Sequence, residues 1–144
     1  MAYIIGNKIL KDSDPTLQHV AYGITLPVRR GSNGFFAQAF TSYDQAKSNI
    51  ANLLSTKKGE RVMQPEFGSG LQSVLFEPMG GDFEKLLEDT ITESVGFWLP
   101  YINVDQIDVS MTDEMKDKNT AEISITFSVG NQIETDMVTF TIQG

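Results

Sequence analysis

At 144 residues the chain is of single-domain size and long enough to bury a core, and its 40% hydrophobic content with nine phenylalanines excludes an intrinsically disordered class. The absence of cysteine excludes disulfides and thiolate metal sites and suits assembly in a reducing cytoplasm. The net charge of −8 divides unevenly: residues 1–58 hold seven Lys/Arg and three Asp, residues 59–144 four Lys/Arg and sixteen Asp/Glu. An acidic C-terminal part argues against a nucleic-acid groove there; it suits a charged protein partner or a solvated acidic surface.

Residues 1–34 are weakly patterned and read as an N-terminal arm or hairpin. No apolar run reaches membrane-span length, and residues 1–6 lack the basic start of a secretion signal, so neither is expected. Asp12-Ser13-Asp14-Pro15 reads as a turn, because the glycine and distal glutamate of a calcium loop are missing. His19 is the sole histidine and lacks the companions that a metal site or a catalytic base needs. No cofactor or metal is expected. Residues 22–28 read as extended, and Gly31-Ser32-Asn33-Gly34 as a turn before residues 35–40.

A helix is predicted over residues 41–56. Thr41 with Asp44 gives a capping box, and Tyr43, Ala46, Ile50, Leu53 and Leu54 recur at helical spacing. Lys57 and Lys58 suit its negative end, and Gly59 its stop. A joint follows, over residues 59–78. Arg61-Val62-Met63 allows only a very short strand, and Pro65 holds Gln64 extended. Gly68 and Gly70 permit positive φ around Phe67. Ser69 with Gln72 is placed to cap a short helix that buries Leu71, Val74 and Leu75, and Pro78 with Gly80-Gly81 breaks it. Phe67 and Phe76 are expected in the core. Glu60, Arg61 and Glu66 read either as turn residues or as an ion-pair cluster.

The second main helix is predicted over residues 82–99, with Asp82 as N-cap and Phe83, Leu86, Leu87, Ile91, Val95 and Trp98 as its apolar stripe. Pro100 ends it. The remainder is β. Ile102 and Val104 alternate in one phase and Ile107, Val109 and Met111 in the other, which calls for a bulge at Asp105-Gln106. Residues 112–120 read as an exposed loop. Ala121, Ile123, Ile125, Phe127 and Val129 face one way along a strand, and Gly130-Asn131 suits a tight hairpin. In the last strand Val138, Phe140 and Ile142 face the core, Thr139 and Thr141 the solvent. One of these two threonine donors is expected to serve the ladder and the other the free edge. The fold class is α+β: two main helices on a small C-terminal antiparallel sheet, with an extended or hairpin N-terminal arm.

Residues 35–144 resemble the small baseplate wedge protein that initiates the sheath in contractile phage tails, and its relative in type VI secretion baseplates. The residues that carry the likeness are Lys57-Lys58-Gly59-Glu60-Arg61, Gln64-Pro65-Glu66-Phe67-Gly68, Gly70-Leu71 and Leu75-Phe76-Glu77. The resemblance implies one wedge-like domain over 35–144, set in six copies around the tail tube of a virion. It implies assembly in the host cytoplasm with sheath subunits and other wedge proteins, with neither nucleic acid nor membrane insertion. The C-terminal sheet would take up sheath strands, with Thr139 and Thr141 as candidates. The family also carries a Glu-Pro-Arg signature associated with docking onto the wedge core. Here Pro100 matches, but Leu99 and Tyr101 replace the charged residues, so an apolar surface of Trp98, Leu99, Pro100 and Tyr101 stands in, with core burial as the alternative.

Relatives have been labelled lysozyme-like. A glycosidase needs two carboxyl groups about 5–9.5 Å apart, one with a raised pKa. Glu66 and Glu77 are the only candidates in suggestive turns, and no motif fixes them as a pair. Nucleophile and metal constellations are missing too, so the expected protein is not an enzyme.

Overall fold

The strongest alternation in the sequence becomes the centre of the molecule. The computed structural model describes residues 21–31, 35–76, 82–110, 112, 120–131 and 133–143. The elements in chain order are β1 (Gly23–Ile24), β2 (Gln38–Ala39), α1 (Ser42–Ser55), α2 (Leu71–Leu75), α3 (Phe83–Trp98), β3 (Ile102–Ser110), β4 (Thr120–Val129) and β5 (Thr135–Gln143). The last three form an antiparallel sheet in the order β3-β4-β5. Ala121, Ile123, Ile125 and Phe127 of central β4 are fully buried, while Glu122 on the opposite face is exposed. A period of two on a half-covered sheet requires this division.

Helices α1 and α3 supply the other half of the core. Ala46, Ile50, Leu53 and Leu54 of α1 meet Phe83, Leu87, Ile91 and Val95 of α3 over the β4 side chains. Thr41 caps α1: its hydroxyl accepts from the Asp44 N–H at 3.1 Å and donates to the Asp44 carboxylate at 2.8 Å. Asp82 holds the N-cap position of α3 but makes no side-chain cap bond. Leu86 is 37% exposed, at the border of the predicted stripe. The predicted bulge is present: Val104 pairs with Phe127 and Gln106 with Thr126, leaving Asp105 as the extra residue. It returns Ile107 and Val109 to the side of Ile102 and Val104, where all four pack on the core.

Several local expectations are corrected. Residues 61–63 form turns, and Val62 and Met63 are 94% and 95% exposed. Two isolated apolar side chains without a facing strand gain nothing from extension. Phe76 is 68% exposed rather than in the core. Gly70 has an ordinary φ of −85°, and no side chain caps α2, because the Ser69 hydroxyl donates to the Leu54 carbonyl at 3.0 Å. Lys57 and Lys58 lie beyond α1, whose last turn holds no basic residue. The β4–β5 connection runs through residues 130–134 and is longer than a two-residue hairpin. In the N-terminal part, β1 pairs antiparallel with β2, so the hairpin draws on both sides of residue 34. It lies along α1, where the Leu26 N–H donates to Ser48 Oγ at 3.1 Å. The expected turn at 12–15, His19, Glu77, Pro78, the Gly80-Gly81 pair and residues 113–119 lie outside the described residues, as do the side chains of Leu75 and Ile142.

Candidate functional site

Two surfaces emerge, and the joint between α1 and α2 builds the first. Gly68 has a φ of +124°, and a Cβ there would stand 2.5 Å from the Thr56 carbonyl oxygen. That oxygen accepts from the Ser69 N–H at 3.0 Å, tying the end of the joint to the end of α1. Gly59, at φ +88°, donates to the Pro65 carbonyl at 2.7 Å and closes the loop on itself. Glu60 folds back to accept from the Lys57 N–H at 3.0 Å. Arg61 donates to Asn52 Oδ1 at 3.3 Å and lays its guanidinium 3.7 Å above the centre of the Phe67 ring. Glu60, Arg61 and Glu66 therefore make no ion-pair cluster; the first two brace turns, and Glu66 is exposed.

Phe67 is half-buried and transmits the joint to α3. Its ring meets Trp98 edge-on at 5.1 Å, and Trp98 meets Phe97 edge-on at 5.0 Å. Phe97 is 73% exposed, a site residue that the sequence reading passed over. The available signal was a phenylalanine off the buried stripe in the last turn of a helix. Beyond it Leu99 enters the core, whereas Pro100 and Tyr101 stay at the surface. The Tyr101 hydroxyl accepts from Asn49 Nδ2 at 2.6 Å, bracing this corner against α1. Trp98, Phe97, Pro100 and Tyr101 thus share one end of the molecule, with Leu99 beneath them.

The second surface is the outer edge of β5. The Gly130 N–H donates to the Tyr101 carbonyl at 2.8 Å, which makes that pair a hydrogen-bonded one. Hydrogen-bonded and non-bonded pairs alternate along an antiparallel ladder. Along β4, Ser128 therefore turns its backbone groups to β3, and Phe127 to β5. The register then gives Asp136, Val138 and Phe140 to the ladder with β4. Thr135, Met137, Thr139 and Thr141 turn theirs to the open side. The Ser124 and Thr139 hydroxyls, 3.0 Å apart, fit a non-bonded pair with its closer side chains. This corrects the expectation that Thr139 and Thr141 divide between ladder and edge: two residues apart, their donors point the same way.

Glu66 has no hydrogen-bond or ion-pair partner among the described residues, and no group of three His, Cys, Asp or Glu among them is placed to hold a metal. No helix among them is long and apolar enough to cross a membrane.

Residues 43–133 match the family described as baseplate wedge protein gp25. The chain belongs to that family. The family match gives it a structural role in a baseplate. No curated protein matches the chain. Among solved structures, a Geobacter sulfurreducens protein described as a candidate tail lysozyme is 23% identical. It aligns over 72% of this chain and 91% of its own, with a TM-score of 0.63. A chain of the anti-feeding prophage baseplate is 17% identical over 77% of this chain and 86% of its own, with a TM-score of 0.62. At these identities the likeness establishes the shared fold. The α+β expectation and the family resemblance both hold.

Proposed function

We propose that this wedge protein initiates the sheath by accepting a sheath strand along the outer edge of β5. In this reading it stands in six copies around the tail tube and docks on its wedge neighbours through the Phe97–Tyr101 corner. It is assembled in the host cytoplasm and has no catalytic role. The observation that carries the reading is the edge itself. From Thr135 to Thr141 alternate backbone groups face outward and the register with β4 continues unbroken; of the outward donors, the Met137 N–H is held by its neighbour Asp136 Oδ1 at 2.8 Å, and those of Thr139 and Thr141 lie beyond it. Such an edge gives an incoming strand the same hydrogen bonds that β4 already makes on the other side.

Proline tests it, because proline removes one donor and is tolerated only where that donor is not in the ladder. Thr139→Pro and Thr141→Pro are both expected to leave a folded protein that no longer nucleates sheath. Circular dichroism reports folding, and electron microscopy of assembled baseplates reports sheath growth. Normal sheath on both variants would move the acceptor elsewhere. For catalysis, the purified protein is expected to clear peptidoglycan no faster than its Glu66→Gln, Glu77→Gln variant. Turnover lost in that variant would overturn the structural reading.

A further inference from the structure

Between the joint and the last turn of α3 lies a half-open cleft of about 270 Å³. Its volume falls just below the range of drug-sized sites, about 300–1,000 Å³, and suits a single long side chain. Phe97 and Trp98 form its apolar wall, Glu66 of the joint and Glu93 of α3 bring carboxylates, and Ser94, Lys58 and Gly68 complete the lining. We propose that this cleft receives an arginine side chain from a neighbouring baseplate protein. The proposal rests on the baseplate reading only for the identity of that neighbour.

Four observations converge on a cation with a flat apolar face. First, neither Glu66 nor Glu93 has a hydrogen-bond or ion-pair partner among the described residues, where Lys47 with Asp136 is the one ion pair found. Against these two carboxylates stands one ammonium, Lys58, so the lining stays net negative. Second, Ser94 is only 7% exposed, and its hydroxyl also has no partner among the described residues. That hydroxyl lines the half-open cleft, where an incoming N–H can donate to it in place of water. Third, the cleft lies at the C-terminal end of α3, whose last turn holds no basic residue. The negative end of that helix dipole is left without a cation of its own. Fourth, the aromatic wall suits a guanidinium, which stacks on rings and bonds carboxylates through its planar fork; an ammonium is a compact, strongly hydrated charge. The adjoining joint already displays this chemistry, with Arg61 held 3.7 Å over Phe67.

Trp98 is the sole tryptophan, so its fluorescence reports the cleft directly. The probe is the blocked tripeptide Gly-Arg-Gly, titrated into the full chain against the same peptide with lysine or neutral citrulline in place of arginine. The expected result is a saturable shift with arginine, at least fivefold weaker with lysine and absent with citrulline. Raised salt is expected to weaken binding, since both carboxylates are exposed. The double variant Glu66→Gln, Glu93→Gln, verified as folded by circular dichroism, is expected to lose tenfold or more in affinity. Equal affinity in that variant, equal response to citrulline, or no saturable response to arginine would each overturn the proposal. A second arm separates it from the baseplate reading. If the unmodified protein fails to incorporate into wedge complexes, the baseplate reading falls. If it incorporates and the double variant does so equally well, the cleft proposal alone falls.

Discussion

The joint at residues 56–70 and the outer edge of β5 use their backbone in opposite ways. In the joint, polar groups turn inward: Gly59 bonds Pro65, Ser69 bonds Thr56 and Leu54, and Glu60 bonds Lys57. Along β5, one whole side of the strand has its donors and acceptors facing out. The difference separates residues that make the fold from residues that the fold presents. The motif that carries the family likeness falls mostly in the first class. Gly59, Glu60, Arg61, Pro65, Phe67 and Gly68 brace the link between α1 and α3, while Glu66, with Lys58 and Gly68, lines the cleft beside it. The other edge of the sheet sharpens the contrast. On β3 the Ile102 N–H is taken by the Leu99 carbonyl at 2.9 Å, and the bulge at Asp105 interrupts the register. Bulges and charged residues of this kind hinder edge pairing. The register of β5 with β4 runs without a bulge, and of its outward N–H groups that of Met137 is held by Asp136 Oδ1 at 2.8 Å.

The largest expected effect breaks the joint. Gly68→Ala places a side chain on a backbone at φ +124° and drives it against the Thr56 carbonyl at 2.5 Å. Strain and overpacking together are expected to cost more than about 2 kcal/mol. Denaturant unfolding measures this, and an unchanged midpoint would show that the joint yields without loss. Next comes Phe67→Ala. A fully buried phenylalanine would cost about 3–5 kcal/mol, but this ring is half-buried, so about 2 kcal/mol is expected. The Trp98 emission should shift in the same variant, because Phe67 is its edge-on neighbour at 5.1 Å. Ser69→Ala is expected to cost about 1 kcal/mol through the lost bond to Leu54, read from the same denaturant curves.

How far the sequence disclosed these two regions follows from which forces are local. The alternation along β4 and the phase flip at Asp105 depend on side-chain periodicity alone, so both were legible. The Thr41–Asp44 cap was legible for the same reason, its partners being three residues apart. The joint was legible as a turn, but its partners were not. Nothing in residues 61–63 shows that Arg61 will cover Phe67, or that Ser69 will reach back to Leu54. The cleft was out of reach, since Glu66 and Glu93 meet only after α3 folds against the joint. The edge was half legible. Alternation separates Thr139 from Phe140, but only the pairing phase tells which backbone groups stay free, and one bond between Gly130 and Tyr101 fixes that phase.

The smallest expected effect asks what an added strand would recognise. Thr139→Ala removes the hydroxyl that lies 3.0 Å from Ser124, on the exposed face of the sheet. A cross-strand pair of this kind contributes roughly 0.2–1 kcal/mol, and exposure puts this one at the low end. Thermal melting is therefore expected to move by only a few degrees. The backbone N–H of residue 139 remains, still directed away from β4. If sheath addition works through that N–H, the alanine variant nucleates sheath normally while the proline variant at the same position does not. Loss of nucleation in both would mean that the threonine side chain is read, and that the outward backbone of β5 is not the feature that matters. Retention in both would remove residue 139 from the acceptor edge. Only the split outcome, alanine active and proline inactive on an equally folded protein, supports recognition through the backbone.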